Sequence, residues 1–213
     1  MSITIEDIRR ALAQPLPGVS AQADMAPRPR PGWKWQAVED YDCRQAGVLL
    51  LLYPKQSSDA ELHFVLTRRH EYPGAHSGQI SFPGGGREGK EPLEATALRE
   101  THEEIGVPGQ GTTILGSLSP LYTPPSNYCI YPFVGYREAE LRFQPDPREV
   151  AEILEIPLSL LLDESIRRQE LMEHPQYGPR WIPFFNMYGH RVWGATAMIL
   201  SEFATVLKQG QET

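Results

Sequence analysis

Cysteine is almost missing: the 213 residues hold only Cys43 and Cys129. Two cysteines make no disulfide framework of the kind that staples small secreted domains, and their spacing matches no zinc-ligand pattern. A reduced, cytoplasmic setting is therefore the expectation. Basic residues fall short of acidic ones, 20 against 27, for a formal net charge of −7. That balance excludes a chain drawn onto nucleic acid by its overall field. It also requires local arginines or a metal ion if the substrate is an anion. Long apolar runs are absent: no stretch approaches the roughly 20 residues that span a bilayer. The N-terminus lacks the charged-then-apolar layout of a signal peptide, and the final Gln-Glu-Thr is no obvious address signal, so no membrane partner is expected. Internal repeats and low-complexity tracts are missing as well.

What is there suffices for a real core. Apolar residues make up 40% of the chain, and its length fits one domain with extensions. Residues 3–13, "ITIEDIRRALA", space Ile5, Ile8 and Leu12 as one face of a short amphipathic helix. The following "QPLPGVSAQADMAPRPRPGW" carries five prolines, which cannot continue a helix, and reads as an extended connector. The expected division is 1–32 for the helix and connector and 33–213 for the compact domain.

"AGVLLLLY" (46–53) and "ELHFVLTRR" (61–69) read as buried strands split by a turn, with "QISF" a shorter third. From Pro92 to Ile105 nothing inside breaks a helix, proline suits the first turn, and Gly106 suits the stop. "TTILGSLSPLY" and "NYCIYPFVGYR" read as further strands, and "DPREVAEILEIPLSLLLD" mixes a strand with a short helix. "RWIPFFNMYGHRVWG" reads as a hairpin turning at Tyr188-Gly189-His190, and "ATAMILSEFATVLK" as a closing helix. Interleaved strands and helices with long connections imply a mixed α and β domain.

The chemistry concentrates in "FPGGGREGKEPLEATALRETHEEIG" (82–106). Gly84, Gly89 and Lys90 satisfy part of a phosphate-binding P-loop, G-x-x-x-x-G-K-[ST]. Glu91 stands where a Ser or Thr should hold magnesium, and Pro92 removes an N–H donor, so that reading fails. On a helical wheel Glu100, Glu103 and Glu104 share one face, with Leu98, Thr101 and Ile105 on the adjacent core-directed stripe and Arg99 and His102 further round. Gathered carboxylates repel one another, and a hard divalent ion would remove that penalty. Oxygen-only ligands favour Mg2+ or Mn2+ and chemistry on a phosphoryl group. A solvated acidic helix face is the competing explanation.

Gly85 to Val107 resembles the Nudix box, G-x5-E-x7-R-E-U-x-E-E-x-G-U, with U aliphatic. Gly85, Glu91, Arg99, Glu100, Glu103, Glu104, Gly106 and Val107 fall in place, and Thr101 at the first U is the departure. The resemblance implies an α+β Nudix fold, a mixed sheet between helices, and hydrolysis of a nucleoside diphosphate linked to another group. It implies that Glu100, Glu103 and Glu104 carry metal, that Arg99 orients a carboxylate, and that Gly85 admits close backbone approach.

The stretch before the box, "VLTRRHEYPGAHSGQISFPGG" (65–85), resembles the signature of coenzyme A pyrophosphatases. Thr67, Arg68, Arg69, Gly78, Phe82, Pro83, Gly84 and Gly85 agree, while His70 replaces a Ser and Gly74 an Arg. The implied substrate is coenzyme A or a derivative, cut to 3′,5′-ADP and 4′-phosphopantetheine. Gly74 keeps ADP-ribose or a dinucleotide open, and a nucleotide-sensing module without catalysis is the alternative of another class. The implied base is Glu103 or Glu100, with Glu149 and Glu152 as further candidates. Substrate contacts are expected from Gly84, Gly85 and one of Arg68 and Arg69, since neighbours on a strand face opposite ways. His70 and His76 are candidates for phosphate, and Tyr122, Tyr128, Tyr131 and Trp193 for stacking on adenine. Two uses stay open for the N-terminal segment: embracing a partner in a homodimer, or covering its own sheet.

Overall fold

The computed structural model describes residues 3–29, 37–55, 61–71, 78–174 and 178–211. In chain order the helices are α1 (Ile5–Leu12), α2 (Val19–Gln22), α3 (Leu93–Ile105), α4 (Leu158–Leu162) and α5 (Gly194–Gln211). The first strands are β1 (Arg44–Pro54), β2 (Leu62–Arg69), β3 (Ile80–Ser81), β4 (Gly84–Gly86), β5 (Thr113–Ser117) and β6 (Leu121–Thr123). After them come β7 (Tyr128–Tyr136), β8 (Val150–Pro157), β9 (Arg167–His174), β10 (Gly178–Met187) and β11 (His190–Trp193). The first eight strands form one sheet with the path β3-β2-β1-β7-β5, to which β4 adds at β1, β6 at β7 and β8 at β2. Among the described strands only β1 and β7 run parallel, from Arg44↔Tyr128 to Leu52↔Tyr136. The last three strands make a separate antiparallel sheet in the order β11-β10-β9.

The leucine run of β1 is apolar on both sides because both sides are covered. Leu49, Leu51 and Tyr53 pack with Ala97 and Ile105 of α3, whereas Leu50 and Leu52 pack with Ile8 and Leu12 of α1 and Phe203 and Leu207 of α5. A mixed sheet between helices is thus the α+β arrangement that the sequence implied. Gly47 lets α3 come down onto the sheet: a Cβ there would lie 2.3 Å from the Leu93 carbonyl oxygen. The helix starts after Pro92 and stops at Gly106, whose φ of 72° is left-handed and favours glycine. Among the described residues, no helix is long and apolar enough to cross a membrane.

Two expectations are corrected. The proline-rich stretch is no extended connector over its described part, because it folds into α2 and a 3-10 turn (Ala23–Met25) against α5. Ala21, Met25 and Ala26 are buried, and Ile8 and Leu12 of α1 join the same core. A buried carboxylate fixes this segment: Glu202 of α5 accepts from the Gly18 and Ser119 N–H groups and from Gln22 Nε2. Cys43 and Cys129, expected to be reduced, are joined in a disulfide between the chain entering β1 and strand β7. The "RRQELMEH" of β9, for which the sequence offers no reading, carries no apolar alternation, and its partner β10 makes it a strand.

Candidate active site

Strand β4 is three consecutive glycines, Gly84–Gly86, paired antiparallel to Ala46–Val48 of β1. Backbone proximity accounts for this composition. A Cβ on Gly85 would lie 2.5 Å from the Glu100 carboxyl carbon, and one on Gly84, at φ 151°, would lie 2.5 Å from the Gly47 oxygen. Bare backbone therefore runs directly beneath the α3 carboxylates. The Gly84 N–H points at Glu104 and donates to its Oε2 at 3.3 Å.

Arg99 stands at the centre of the carboxylates, not further round the helix as the wheel implied. Its Nη2 donates to Glu91 Oε1 at 2.9 Å and to the Gly86 carbonyl at 3.1 Å, and Nε reaches Glu91 Oε2 at 3.3 Å. Its Nη1 donates to Glu100 Oε1 at 2.8 Å and to Glu103 Oε2 at 3.0 Å. The long arginine stem lets the guanidinium swing back over the helix end, which a projection of Cβ directions cannot capture. Glu91 is tied further by the Thr96 hydroxyl at 2.9 Å and the Glu88 N–H at 3.0 Å. The residue that spoils the P-loop pattern thus locks the glycine loop to α3. Thr101, the departure from the box, is buried, and its hydroxyl donates to the Ala97 carbonyl at 2.7 Å.

Each carboxylate has its own electrostatic setting. Arg99 above all holds the Glu91 carboxyl down at about 2. Glu100 is pushed up, chiefly by burial, with Arg99 opposing the shift. Glu104, 4% exposed, is raised to about 7 by desolvation, which Arg69 and the Gly84 N–H offset only partly. Glu103 is the outermost, with 57% of its side chain exposed. The three glutamates therefore do not share one solvent-facing stripe: Glu104 turns inward, Glu103 outward, and Glu100 lies between them against Gly85.

The arginines of β2 divide as strand alternation requires. Arg69 Nη1 comes within 4.0 Å of Glu104 Oε1, on the α3 side. Arg68 Nε bonds Glu152 Oε2 at 2.8 Å, and that glutamate also lies 3.6 Å from His190 Nε2. Glu152 is thereby committed away from the box glutamates. Glu149 is not: its charge acts on both Glu100 and Glu104. The turn that carries it is tied to α3 by Gln144 N–H to Ile105 O and Asp146 N–H to Glu104 O, each at 2.9 Å. His70 Nε2 meets the Pro147 carbonyl at 2.9 Å, so its hydrogen bond goes to this turn. Gly74 and His76 lie outside the described residues.

Of the four aromatic candidates, Tyr128 comes nearest the box: its hydroxyl is 3.2 Å from where a Gly86 Cβ would sit, and Arg44 lies 4.2 Å over its ring. Tyr122 is stacked on Tyr41 at 4.0 Å. Tyr131 reaches Gln45 at 3.4 Å, and Trp193 is on the separate sheet opposite Phe184. Arg99's central role was legible only as a box position, and the Glu91–Thr96 lock had no sequence signal beyond Glu91 itself.

Chemically, the set is all oxygen. Among the described residues, no three carboxylates converge closely enough to hold an ion, and Arg99 acts as the internal counter-cation for Glu100 and Glu103. The residues nonetheless fit a hard divalent ion. A buried carboxylate raised to about 7, whose ion-pair partner among the described residues, Arg69, is 4.0 Å away, is short of positive charge.

Comparison with known proteins adds the following. A family model described as a NUDIX domain matches residues 44–174. A protein from Photorhabdus laumondii subsp. laumondii, described as an uncharacterized Nudix hydrolase NudL, is 36% identical over 163 residues, covering 76% of this chain and 83% of that one. One from Yersinia pestis with the same description is 34% identical over 163 residues, covering 76% and 78%. The crystal structure of a MutT protein from Methanosarcina mazei Go1 aligns with a TM-score of 0.50 at 16% identity, over 80% of this chain and 96% of that one, a likeness of fold alone.

Proposed function

We propose, on the premise that this chain belongs to the Nudix hydrolase family and hydrolyses nucleoside diphosphate derivatives, that its substrate is coenzyme A or a coenzyme A derivative. The products are 3′,5′-ADP and 4′-phosphopantetheine, or its acylated form, and the cofactor is Mg2+ or Mn2+. The observation that carries the choice of substrate is the stretch 65–85, whose Thr67, Arg68, Arg69, Gly78 and Phe82-Pro83-Gly84-Gly85 match the coenzyme A signature.

Glu100, Glu103 and Glu104 would hold the cation, with Glu149, whose charge acts on Glu100 and Glu104, a further candidate. A divalent ion bound there would supply positive charge at the phosphoryl group and lower the pKa of a water. Arg99 keeps Glu100 and Glu103 at a fixed spacing and is itself anchored by Glu91 and the Gly86 carbonyl. Glu103 takes the proton of the attacking water, since its carboxylate is open to solvent while Glu100 is walled in by Gly85. Gly84 and Gly85 present backbone that a substrate can approach closely, and Arg69 faces the phosphates from the end of β2.

The test is a screen of the purified protein against coenzyme A, acyl-coenzyme A, ADP-ribose and NADH, with Mg2+ and with Mn2+. Turnover of coenzyme A to 3′,5′-ADP is expected. Turnover of ADP-ribose or NADH alone would overturn the substrate assignment and leave the reaction class. Binding without turnover of any of them would point to a sensing module.

A further inference from the structure

The β9–β10 ribbon extends past its support. Strand β11 accompanies β10 only from Phe184 to Met187, whereas β9 pairs with β10 from Phe185↔Arg167 out to Gly178↔His174. Among the described residues, the outer half of the ribbon is two strands wide, apart from one bridge between Arg28 and Trp181. Two-stranded ribbons are marginal in water. This one also holds large apolar side chains in solvent, Leu171 at 57% exposure, Trp181 at 47% and Met172 at 38%. Leu171 and Trp181 are direct cross-strand partners, so they lie side by side on one face.

The backbone shows which edge is open. Trp181 donates to Arg28 O at 2.7 Å and accepts from Arg28 N at 2.9 Å, so both of its polar groups point away from β9. Leu171, opposite Trp181, is therefore in a non-hydrogen-bonded pair, and its own N–H and C=O point outward from the ribbon. Strand periodicity gives Arg167, Gln169 and Glu173 the same direction. Among the described residues, no strand pairs with this outer edge.

We infer that this edge joins two copies of the chain, with antiparallel β9 strands meeting about a two-fold axis through Leu171. Opposed residues in an antiparallel ladder must both point toward the partner strand or both away. A strand meeting its own copy is consequently centred on a residue, never between two. Centring on Glu170 would set that carboxylate against its own copy, which like-charge repulsion disfavours. Centring on Leu171 sets leucine against leucine, Gln169 against the partner's Glu173 and Glu170 against the partner's Met172, with no like charges directly opposed. The two Leu171–Trp181 pairs then merge into one apolar row four side chains wide. A contact of this length covers on the order of 1,000 Å² in total, at the low end for specific association, and corresponds to micromolar rather than nanomolar affinity.

The experiment is analytical ultracentrifugation of the full chain across the micromolar range, beside Leu171→Lys and three cysteine variants. Concentration-dependent dimer is expected for the wild type and monomer throughout for Leu171→Lys. An exposed position leaves circular dichroism and hydrolysis unchanged. Leu171→Cys should cross-link to itself on oxidation, because opposed Cα atoms in a hydrogen-bonded pair lie about 5.5 Å apart, within disulfide reach. Glu173→Cys should not cross-link to itself, yet should do so when mixed with Gln169→Cys. A wild type that stays monomeric, a dimeric Leu171→Lys, or self-linking at Glu173 as fast as at Leu171 would each overturn the inference.

Discussion

Glu104→Gln should stabilise the metal-free protein at neutral pH while removing its response to divalent ions. The carboxyl is buried, and its pKa is raised from 4.5 to about 7, with desolvation the largest cause. The native state therefore favours the protonated form, and between these two values it holds a proton that the unfolded chain has released. Stability contributed by that proton is fully present below pH 4.5 and is lost as pH rises through about 7. A shift of this size corresponds to about 3 kcal/mol. Glutamine has nothing to ionise, and its side-chain oxygen can still accept the Gly84 N–H. The stability difference between variant and wild type should thus be near zero at pH 4.5 and grow to about 3 kcal/mol, roughly 6–12 °C in Tm, by pH 8. Urea denaturation of EDTA-treated protein at several pH values measures it. Adding Mg2+ at pH 8 should recover most of the loss in the wild type and little in the variant. A stability difference that stays flat from pH 5 to 8 would refute the reasoning.

The other predictions follow from the same contacts. Glu103→Gln should lower kcat by at least ~100-fold with the melting temperature unchanged, since the side chain is exposed and is the base in the proposed mechanism; a mild loss in steady-state assays would move the base to Glu100 or Glu149. Gly47→Ala should destabilise α3 against the sheet by about 2 kcal/mol or more, because its Cβ meets backbone 2.3 Å away and not a movable side chain; calorimetry reads this directly. Reducing the Cys43–Cys129 bond should cost up to about 4–5 kcal/mol on chain-entropy grounds, given the separation of 86 residues. Denaturation with and without a reductant checks this, and two thiols titrating in the unreduced native protein would show the bond absent.

How much could be read from the chain depended on whether a residue's partner is local. The α3 helix, its glycine stop and the turn at Tyr188-Gly189 were legible because caps and left-handed positions leave residue-specific marks; Tyr188 sits at φ 53° and Gly189 at 86°. The leucines of β1 announced burial on both faces. Strand β9 was not legible, as its sequence carries neither apolar alternation nor β-branched residues and its pairing comes entirely from β10. The same holds for β4, where three glycines oppose strand propensity and only the closeness of β1 and α3 explains them. In the site, box spacing located the carboxylates, but placing Arg99 among them requires side-chain reach. That Arg68 and Arg69 separate was visible in advance from alternation, whereas which one meets Glu104 was not.

Because Gly84–Gly86 offers the α3 carboxylates only main chain, their separation from the sheet is set by peptide geometry, which side-chain repacking elsewhere cannot adjust. The floor of the site is thereby closed to variation, and a new substrate preference has to be built from its walls: the end of β2, the turn carrying Glu149, and the surface around Tyr128. A directed-evolution library confined to those walls should change which nucleotide is cut while leaving the demand for a divalent ion untouched.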